Sequence, residues 1–153
     1  MQVKIKKLHP EAIIPQYATD GSACFDLHAL GEWDRGNGWN AIPVPTGVPA
    51  SFRTGLAVEI PVGHVMLVFS RSGHGFKNDT RLANCVGVID ADYRGEISVK
   101  LTRDHAPGEI LHVGKGDRIA QAMIVPIPKV ELVEVDELTN TERGAGGFGS
   151  TGA

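Results

Sequence analysis

A short polar turn follows an apolar run of the chain at residues 70–75 (SRSGHG). It combines the guanidinium of Arg71, the hydroxyl of Ser72 and, at Gly73, a backbone that a ligand can approach closely. A fixed guanidinium binds phosphate oxygens through paired hydrogen bonds, and neighbouring backbone N–H groups add to that binding. The segment therefore predicts a phosphate-binding turn, with a merely solvated turn as the alternative.

Two carboxylates stand close together in residues 87–95 (GVIDADYRG), where Asp90 and Asp92 precede the aromatic Tyr93. Water is a poor nucleophile at neutral pH, so hydrolysis of a phosphoanhydride needs a positioned base or a metal ion. One of these carboxylates fits the role of a general base. A turn that only exposes its aspartates to solvent is the alternative.

Two more acidic residues, Asp20 and Asp26, lie in residues 19–27 (TDGSACFDL). Mg²⁺ keeps several waters and binds through few protein carboxylates together with substrate phosphates. The segment is therefore a candidate magnesium site, although isolated aspartates in turns are common.

Polar residues recur in two later segments. Residues 116–121 (GDRIAQ) form a turn that carries Arg118 and Gln121, and residues 142–152 combine Arg143 with hydroxyls and glycines. The glycine-rich tail cannot build a core, because ordering each glycine carries a large entropic cost. It is either a disordered terminus or an arm that closes over an anionic ligand. It lacks the GxxxxGK[ST] pattern, so it is not a P-loop.

The elements that position these segments are predicted to be short strands. The chain of 153 residues contains 19 Gly and 9 Pro, which favour turns over long helices. Period-two or β-branched runs predict strands at residues 2–8, 56–60, 64–70, 97–101, 110–113, 118–125 and 130–135. A short helical turn is expected near residues 136–143, and residues 33–49 are expected to form a long surface loop. We expect an all-β fold, a distorted jelly roll or barrel, over residues 1–142, followed by a flexible arm at 143–153.

Charge and composition argue against several classes of protein. The formal charge is −3, without the basic excess of a nucleic-acid binder. No apolar run is long enough for a signal peptide or a membrane span, so we expect a cytoplasmic protein without a membrane partner. The two cysteines, Cys24 and Cys85, are far apart in sequence and are expected to be buried free thiols.

Taken together and in this order, the segments resemble the five motifs of the trimeric dUTPase family. The matching segments are YATDGSACFDL at 17–27, SRSGHG at 70–75, GVIDADYRG at 87–95, GDRIAQ at 116–121 and RGAGGFGSTG at 143–152. Asn84 and the stretch TGLAVEIP at 54–61 add to the resemblance. The chain departs from the family pattern at Cys24, where glycine is usual, at Ser70, where Pro, Gly or Ala is more usual, and in the longer loop at 33–49.

The resemblance implies a homotrimer whose active sites are each built from three subunits. Its implied reaction is hydrolysis of dUTP to dUMP and pyrophosphate by Mg²⁺-assisted water attack on the α-phosphorus, which keeps uracil out of DNA and supplies dUMP for thymidylate synthesis. Asp90 is implied as the catalytic base, Asp26 as a metal contact through water, and Phe148 as a ring that stacks on uracil. The residues implied to bind substrate are Arg71, Ser72, Gly73, Asn84, Gly87, Val88, Ile89, Asp90, Tyr93, Ser98, Gln121, Arg143, Phe148, Gly149, Ser150 and Thr151.

Two other functions compete with this interpretation. The dCTP deaminases share the fold and have a hairpin similar to the one that the resemblance implies here between Asn84 and about Ser98. They use a glutamate as proton shuttle, and the corresponding position here is Lys100, which does not shuttle protons at neutral pH. A non-catalytic binding module of the same fold is the second alternative, which the presence of Asp90, Arg71, Tyr93 and Arg143 disfavours.

Overall fold

The computed structural model describes residues 1–34, 38–105 and 110–147, and these ranges consist mostly of short strands and turns. The strands are β1 (Lys4–Lys7), β2 (Phe25–His28), β3 (Glu32–Asp34), β4 (Gly38–Asn40), β5 (Ile42–Val44), β6 (Ala50–Arg53), β7 (Leu56–Glu59), β8 (His64–Phe69), β9 (Thr80–Leu82), β10 (Gly87–Ile89), β11 (Ser98–Arg103), β12 (Leu111–Val113) and β13 (Arg118–Pro126). A seven-residue helix, α1 (Ser72–Asn78), follows β8.

The largest sheet has the strand order β10-β8-β13-β2, and all of its neighbours are antiparallel. A second sheet has the order β6-β11-β9, and the remaining strands form the pairs β1-β7, β12-β5 and β3-β4. The prediction of an all-β fold is confirmed. The expected closed barrel is not formed, because the strand pairings within the described ranges do not close on themselves.

The core lies around the two central strands of the large sheet. β8 (HVMLVF) and β13 (RIAQAMIVP) are apolar on both faces, as expected of strands that are covered on both sides. Their long register, from Gln121 opposite Phe69 to Pro126 opposite His64, fixes both ends of β8 relative to β13. The largest buried side chains around them are Leu27, Leu56, Met66, Leu82, Ile97, Leu101 and Ile119.

The predicted strand at residues 130–135 is wrong. These residues form no strand, and Val130, Leu132 and Val133 are 73%, 91% and 69% exposed. The β-branched pattern is present, but no strand of the described chain lies beside it to complete a ladder. The helical turn expected near residues 136–143 does not form either.

Two further segments differ from expectation. Residues 33–49 hold the β3–β4 pair and β5, where a long surface loop is predicted. Residues 72–78 form α1, although the sequence SGHGFKN with its two glycines favours a turn. No residue of the helix is buried. Asp79 caps its C-terminus, with a left-handed φ of 48° and an N–H that donates to the carbonyl of His74.

Both cysteines are free, as predicted, but the expected burial is wrong: Cys24 is half-buried and Cys85 is exposed. Within the described ranges, no helix has the length and apolar character needed to cross a membrane.

Candidate active site

A pocket opens between β10 and β11, where the sequence predicts a hairpin. The two strands belong to different sheets and form no ladder with each other. A cavity of about 460 Å³ lies between them, and its lining includes the predicted residues Asn84, Gly87, Val88, Ile89 and Ser98. We call this cavity the interstrand pocket. β10 is an edge strand of its sheet, so backbone donors and acceptors on its outer edge are available to a planar polar ligand.

Gly87 is needed for the narrow end of the interstrand pocket. A Cβ at this position would lie 3.1 Å from the Cβ of Val68 and 3.9 Å from Nδ2 of Asn84. The glycine therefore allows β10 to pack closely against β8 and keeps space beside the Asn84 amide.

Asp90 and Tyr93 stand at the other end of β10. They line a second cavity of about 260 Å³ that shares Val88, Ile89 and Ser98 with the interstrand pocket. The N–H of Tyr93 donates to the carbonyl of Asp90 at 3.2 Å, and Tyr93 Oη donates to the carbonyl of Glu96 at 3.0 Å. These bonds hold the ring across the turn, and Asp90 is exposed beside it in the lining of the second cavity.

A second group of predicted residues gathers around Asp26 on β2. Arg71 Nε donates to Asp26 Oδ1 at 2.9 Å, and Arg118 Nη1 donates to Asp26 Oδ2 at 3.3 Å. We call Asp26, Arg71 and Arg118 the arginine cluster. Its net formal charge is +1, and the side chain of Arg118 is about half exposed.

The strand register explains why the arginine cluster forms. Gln121 on β13 lies opposite Phe69 on one side and opposite Asp26 on the other, so the end of β8 and Asp26 come together. Gln121 Nε2 donates to the carbonyl of Ser70 at 3.0 Å. The side chain of Gln121 therefore fixes the residue that immediately precedes Arg71.

Asp90 and the arginine cluster lie far apart within one chain. Ile89 is opposite Met66 near the start of β8, whereas Arg71 follows its end. β10 and β2 are also at opposite edges of the four-stranded sheet, three interstrand spacings apart, which is roughly 14 Å. The sequence motifs thus converge on two places rather than one.

His28 lies beside the arginine cluster. Burial is the main cause that lowers its pKa below the ordinary value; the carboxylate of Asp26 opposes this shift, and the guanidinium groups of Arg118 and Arg71 add to it. Its Nδ1 is buried and has no hydrogen-bond partner in the described chain. The folded protein therefore favours neutral His28.

This lowered pKa predicts a pH-dependent stability. The unfolded chain protonates His28 near pH 6.5, before the folded chain does, so stability present above that pH is lost as the pH falls toward the folded pKa. We expect Tm, measured by thermal denaturation, to decrease less between pH 7.5 and pH 5.5 in His28→Gln than in the wild type. The difference should be about one or two degrees. His112→Gln, at an exposed position on β12, is the matched control. An equal decrease in both variants would contradict this role of His28.

The remaining predicted residues fall into three groups. Ser72 and Gly73 are exposed in the first turn of α1, next to Arg71. Arg143 is exposed, and its Nε donates to the carbonyl of Gly146 at 2.8 Å. The tail residues, listed here together, lie outside the described ranges: Phe148, Gly149, Ser150 and Thr151.

Arg118 is a member of the arginine cluster for which no separate role is predicted. Its signal in the sequence is its position in GDRIAQ, three residues before Gln121. A strand with a regular period of two would place these two side chains on opposite faces. A register irregularity between Arg118 and Ala120 changes this relation, and it is not readable from the sequence.

The chain is similar to known proteins over nearly its full length. The family model for dUTPase matches residues 10–152. The deoxyuridine 5'-triphosphate nucleotidohydrolase of Nautilia profundicola is 45% identical over 152 residues, with 99% of both chains covered. The enzyme of the same name from Helicobacter pylori (strain ATCC 700392 / 26695) is 39% identical, with 99% of this chain and 97% of the relative covered.

Solved structures have the same fold. A mutant dUTPase of Staphylococcus bacteriophage 80alpha with dUpNHpp superposes with a TM-score of 0.82 at 28% identity, with 99% of both chains covered. The likeness extends over nearly the whole length of the chain. On this basis the chain belongs to the dUTPase family.

Proposed function

We propose that the protein hydrolyses dUTP to dUMP and pyrophosphate. The observation that carries the proposal is the pair of adjoining cavities, which place the Asn84 amide at one end and Asp90 with Tyr93 at the other. This is the order of base, sugar and α-phosphate in a nucleotide. Removal of dUTP keeps uracil out of DNA, and its product supplies dUMP for thymidylate synthesis.

Base selection is proposed to occur in the interstrand pocket. Uracil presents acceptor, donor and acceptor groups along one edge, which the Asn84 amide and the backbone edges of β10 and β11 can match. Cytosine would leave buried donors and acceptors mismatched, and a site of this kind discriminates by about 10⁴-fold or more. The narrow pocket would also exclude the methyl group of thymine.

The proposed chemistry is a single displacement at the α-phosphorus. Asp90 orients a water molecule and accepts its proton as the new O–P bond forms. The bond between the α-phosphorus and the bridging oxygen breaks, and pyrophosphate leaves. A carboxylate that is exposed and free to turn toward the cavity is suited to this role.

We infer that each site combines the interstrand pocket of one subunit with the arginine cluster of another, in a homotrimer. Asn84 lies toward the end of β8 that carries Arg71, whereas Asp90 lies toward the opposite end. A triphosphate whose α-phosphate lies at Asp90 would therefore extend its outer phosphates away from Arg71 of the same chain. A second copy must supply the phosphate-binding groups.

Exposed apolar side chains support the same assembly. Val130, Leu132, Val133, Val135 and Leu138 are 55–91% exposed in a segment that has no ladder partner. Such a row is typical of an interaction surface. Its burial against other copies would stabilise the trimer and carry residues 143–153 toward neighbouring sites.

Mg²⁺ is proposed to arrive with the triphosphate. The described residues contain no group of three His, Cys, Asp or Glu side chains that could hold the ion alone. This suits a metal that is bound mainly by phosphate oxygens and water, with Asp26 predicted to face it through water. A mutant dUTPase of phage phi11 of S. aureus reveals the coordination of a structural Mg(II) ion. When bound, the ion would neutralise charge on the phosphates.

The C-terminal arm is proposed to close over the bound triphosphate. Arg143, Ser150 and Thr151 would contact the outer phosphates and Phe148 would stack on uracil, which excludes water and completes the site. Removal of residues 143–153 should leave the fold and assembly intact but lower kcat/KM by about 100-fold or more. Steady-state kinetics and the mass in solution test this. Full activity of the truncated protein would contradict the proposal.

Tyr93 is proposed to exclude ribonucleotides by packing against the deoxyribose. A Cβ at Gly95 would lie 2.3 Å from Tyr93 Oη and 2.5 Å from its Cζ, so Gly95→Ala must displace the ring. We expect kcat/KM for dUTP to fall by about tenfold and the ratio of kcat/KM for dUTP to that for UTP to decrease. Gly21→Ala, in an exposed turn where a Cβ meets no atom within 4 Å, is the control for general effects of a glycine substitution. An unchanged dUTP/UTP ratio in Gly95→Ala would show that Tyr93 does not select the sugar.

The direct test is pyrophosphate release from dUTP, dCTP, dTTP and UTP in Mg²⁺. Turnover of dUTP alone is expected. Lys100 lines the interstrand pocket where a deaminase needs its glutamate, so release of ammonia from dCTP would overturn the proposal in favour of deamination. Binding of dUTP without turnover would indicate a binding module.

A further inference from the structure

The carboxylate of Asp26 is already occupied by two guanidinium groups. Its Oδ1 accepts from Arg71 and its Oδ2 from Arg118, and its side chain is only 16% exposed. The Arg71 side chain is 22% exposed and that of Arg118 is 52% exposed. The partners come from three elements, since Asp26 is on β2, Arg71 precedes α1 and Arg118 begins β13.

We propose that Asp26 is a positioning residue that holds Arg71 and Arg118 as a pair for the anionic oxygens of the substrate, and that Arg118 is a further substrate-binding residue. This inference rests on the proposed function, because a nucleoside triphosphate is the ligand. It gives Asp26 an effect on the reaction that does not pass through the metal ion.

The contacts leave the phosphate-binding nitrogens of both arginines available. Arg71 uses Nε for Asp26, so its two terminal nitrogens have no hydrogen-bond partner among the described residues. Arg118 uses Nη1 and keeps Nε and Nη2. A planar guanidinium fixed through one nitrogen presents the others in a set direction, which suits paired bonds to phosphate oxygens.

The backbone around the two arginines is also fixed. His74 Nε2 donates to the carbonyl of Arg118 at 2.7 Å, which ties α1 to the start of β13. Two guanidinium groups at this proximity repel each other, and the carboxylate between them offsets that repulsion. Without Asp26 each side chain would regain rotamer freedom and turn away from the other.

The charge balance separates this role from a metal contact. Asp26→Asn raises the net charge of the arginine cluster from +1 to +2, so attraction for a triphosphate is kept while the alignment of the arginines is lost. Loss of alignment lowers kcat and leaves KM nearly unchanged. Loss of a metal contact would instead raise the Mg²⁺ concentration needed for activity.

The test is steady-state hydrolysis of dUTP by Asp26→Asn over a range of Mg²⁺ concentrations. We expect kcat measured at saturating Mg²⁺ to fall by about 10–100-fold and KM to stay within about threefold. A normal kcat restored at high Mg²⁺ would overturn the inference. Glu59→Gln removes the exposed salt bridge to Lys4 away from the site and is the matched control.

A variant cycle tests the coupling between the residues. The effect of Asp26→Asn should be smaller in an Arg118→Ala background than in the wild type, because part of its action passes through Arg118. Equal effects in both backgrounds would overturn the inference. If Asp26→Asn does not fold, Arg118→Ala alone decides, since an unchanged kcat/KM in this variant would exclude Arg118 from substrate binding. A wild-type protein without dUTP turnover would instead refute the proposed function.

Discussion

Replacement of Asp90 with asparagine is expected to lower kcat for dUTP hydrolysis by about 10²–10⁴-fold while the protein remains folded. Asparagine keeps the size and hydrogen bonds of the side chain but does not accept a proton from water. Asp90 is exposed at the end of β10 and forms no salt bridge in the described chain, so its replacement costs little stability. Pyrophosphate release under single-turnover conditions measures the chemical step directly.

Asp92→Asn is the matched control for Asp90→Asn. It removes a second exposed carboxylate from the same turn, two residues away. We expect its kcat to stay within about threefold of the wild type, in the range of a surface substitution. Equal losses in the two variants would mean that the turn needs negative charge in general rather than a base at residue 90. An active Asp90→Asn variant would refute the proposed mechanism.

Mixing two inactive variants is expected to restore activity. Asp90→Asn removes the proposed base beside the interstrand pocket, and Arg71→Ala removes one guanidinium from the arginine cluster. If a site takes its pocket from one subunit and its arginine cluster from another, mixed trimers of the two variants contain some sites in which both parts are unmutated. Random assembly makes about a quarter of the sites intact, so activity should rise to about a quarter of the wild-type value.

The control is a mixture of Asp90→Asn with Tyr93→Ala. Both substitutions lie in the same pocket of the same subunit, so no combination restores an intact pocket. Each mixture is made by joint refolding and assayed beside its separate components. If the mixture of Asp90→Asn with Arg71→Ala stays inactive, the site lies within one chain and the inferred assembly is wrong.

The sequence is most informative where local chemistry determines structure. β8 and β13 were predictable, because their apolar runs are bounded by glycine, proline or polar residues. The clustering of Asn84, Gly87 and Ser98 around one pocket could also be expected from their closeness in sequence.

Pairing over long distances limits what the sequence can predict. The separation of Asp90 from Arg71 depends on the register of β10 on β8, which no single segment encodes. The salt bridges of Asp26 depend on the pairing of β2 with β13, and Arg118 enters them through a register irregularity. Residues 130–135 have the pattern of a strand, but a pattern does not say which chain provides the partner.

The distance between Asp90 and the arginine cluster within one chain has a consequence for how activity responds to dilution. If neither part of the site works alone, the catalytic unit is an association product, and mass action governs its abundance. Specific activity would then stay constant only at protein concentrations above those at which the subunits dissociate. It would fall when the enzyme is diluted below them. Substrate that bridges two subunits would oppose this fall, because a ligand bound across an interface stabilises the associated state.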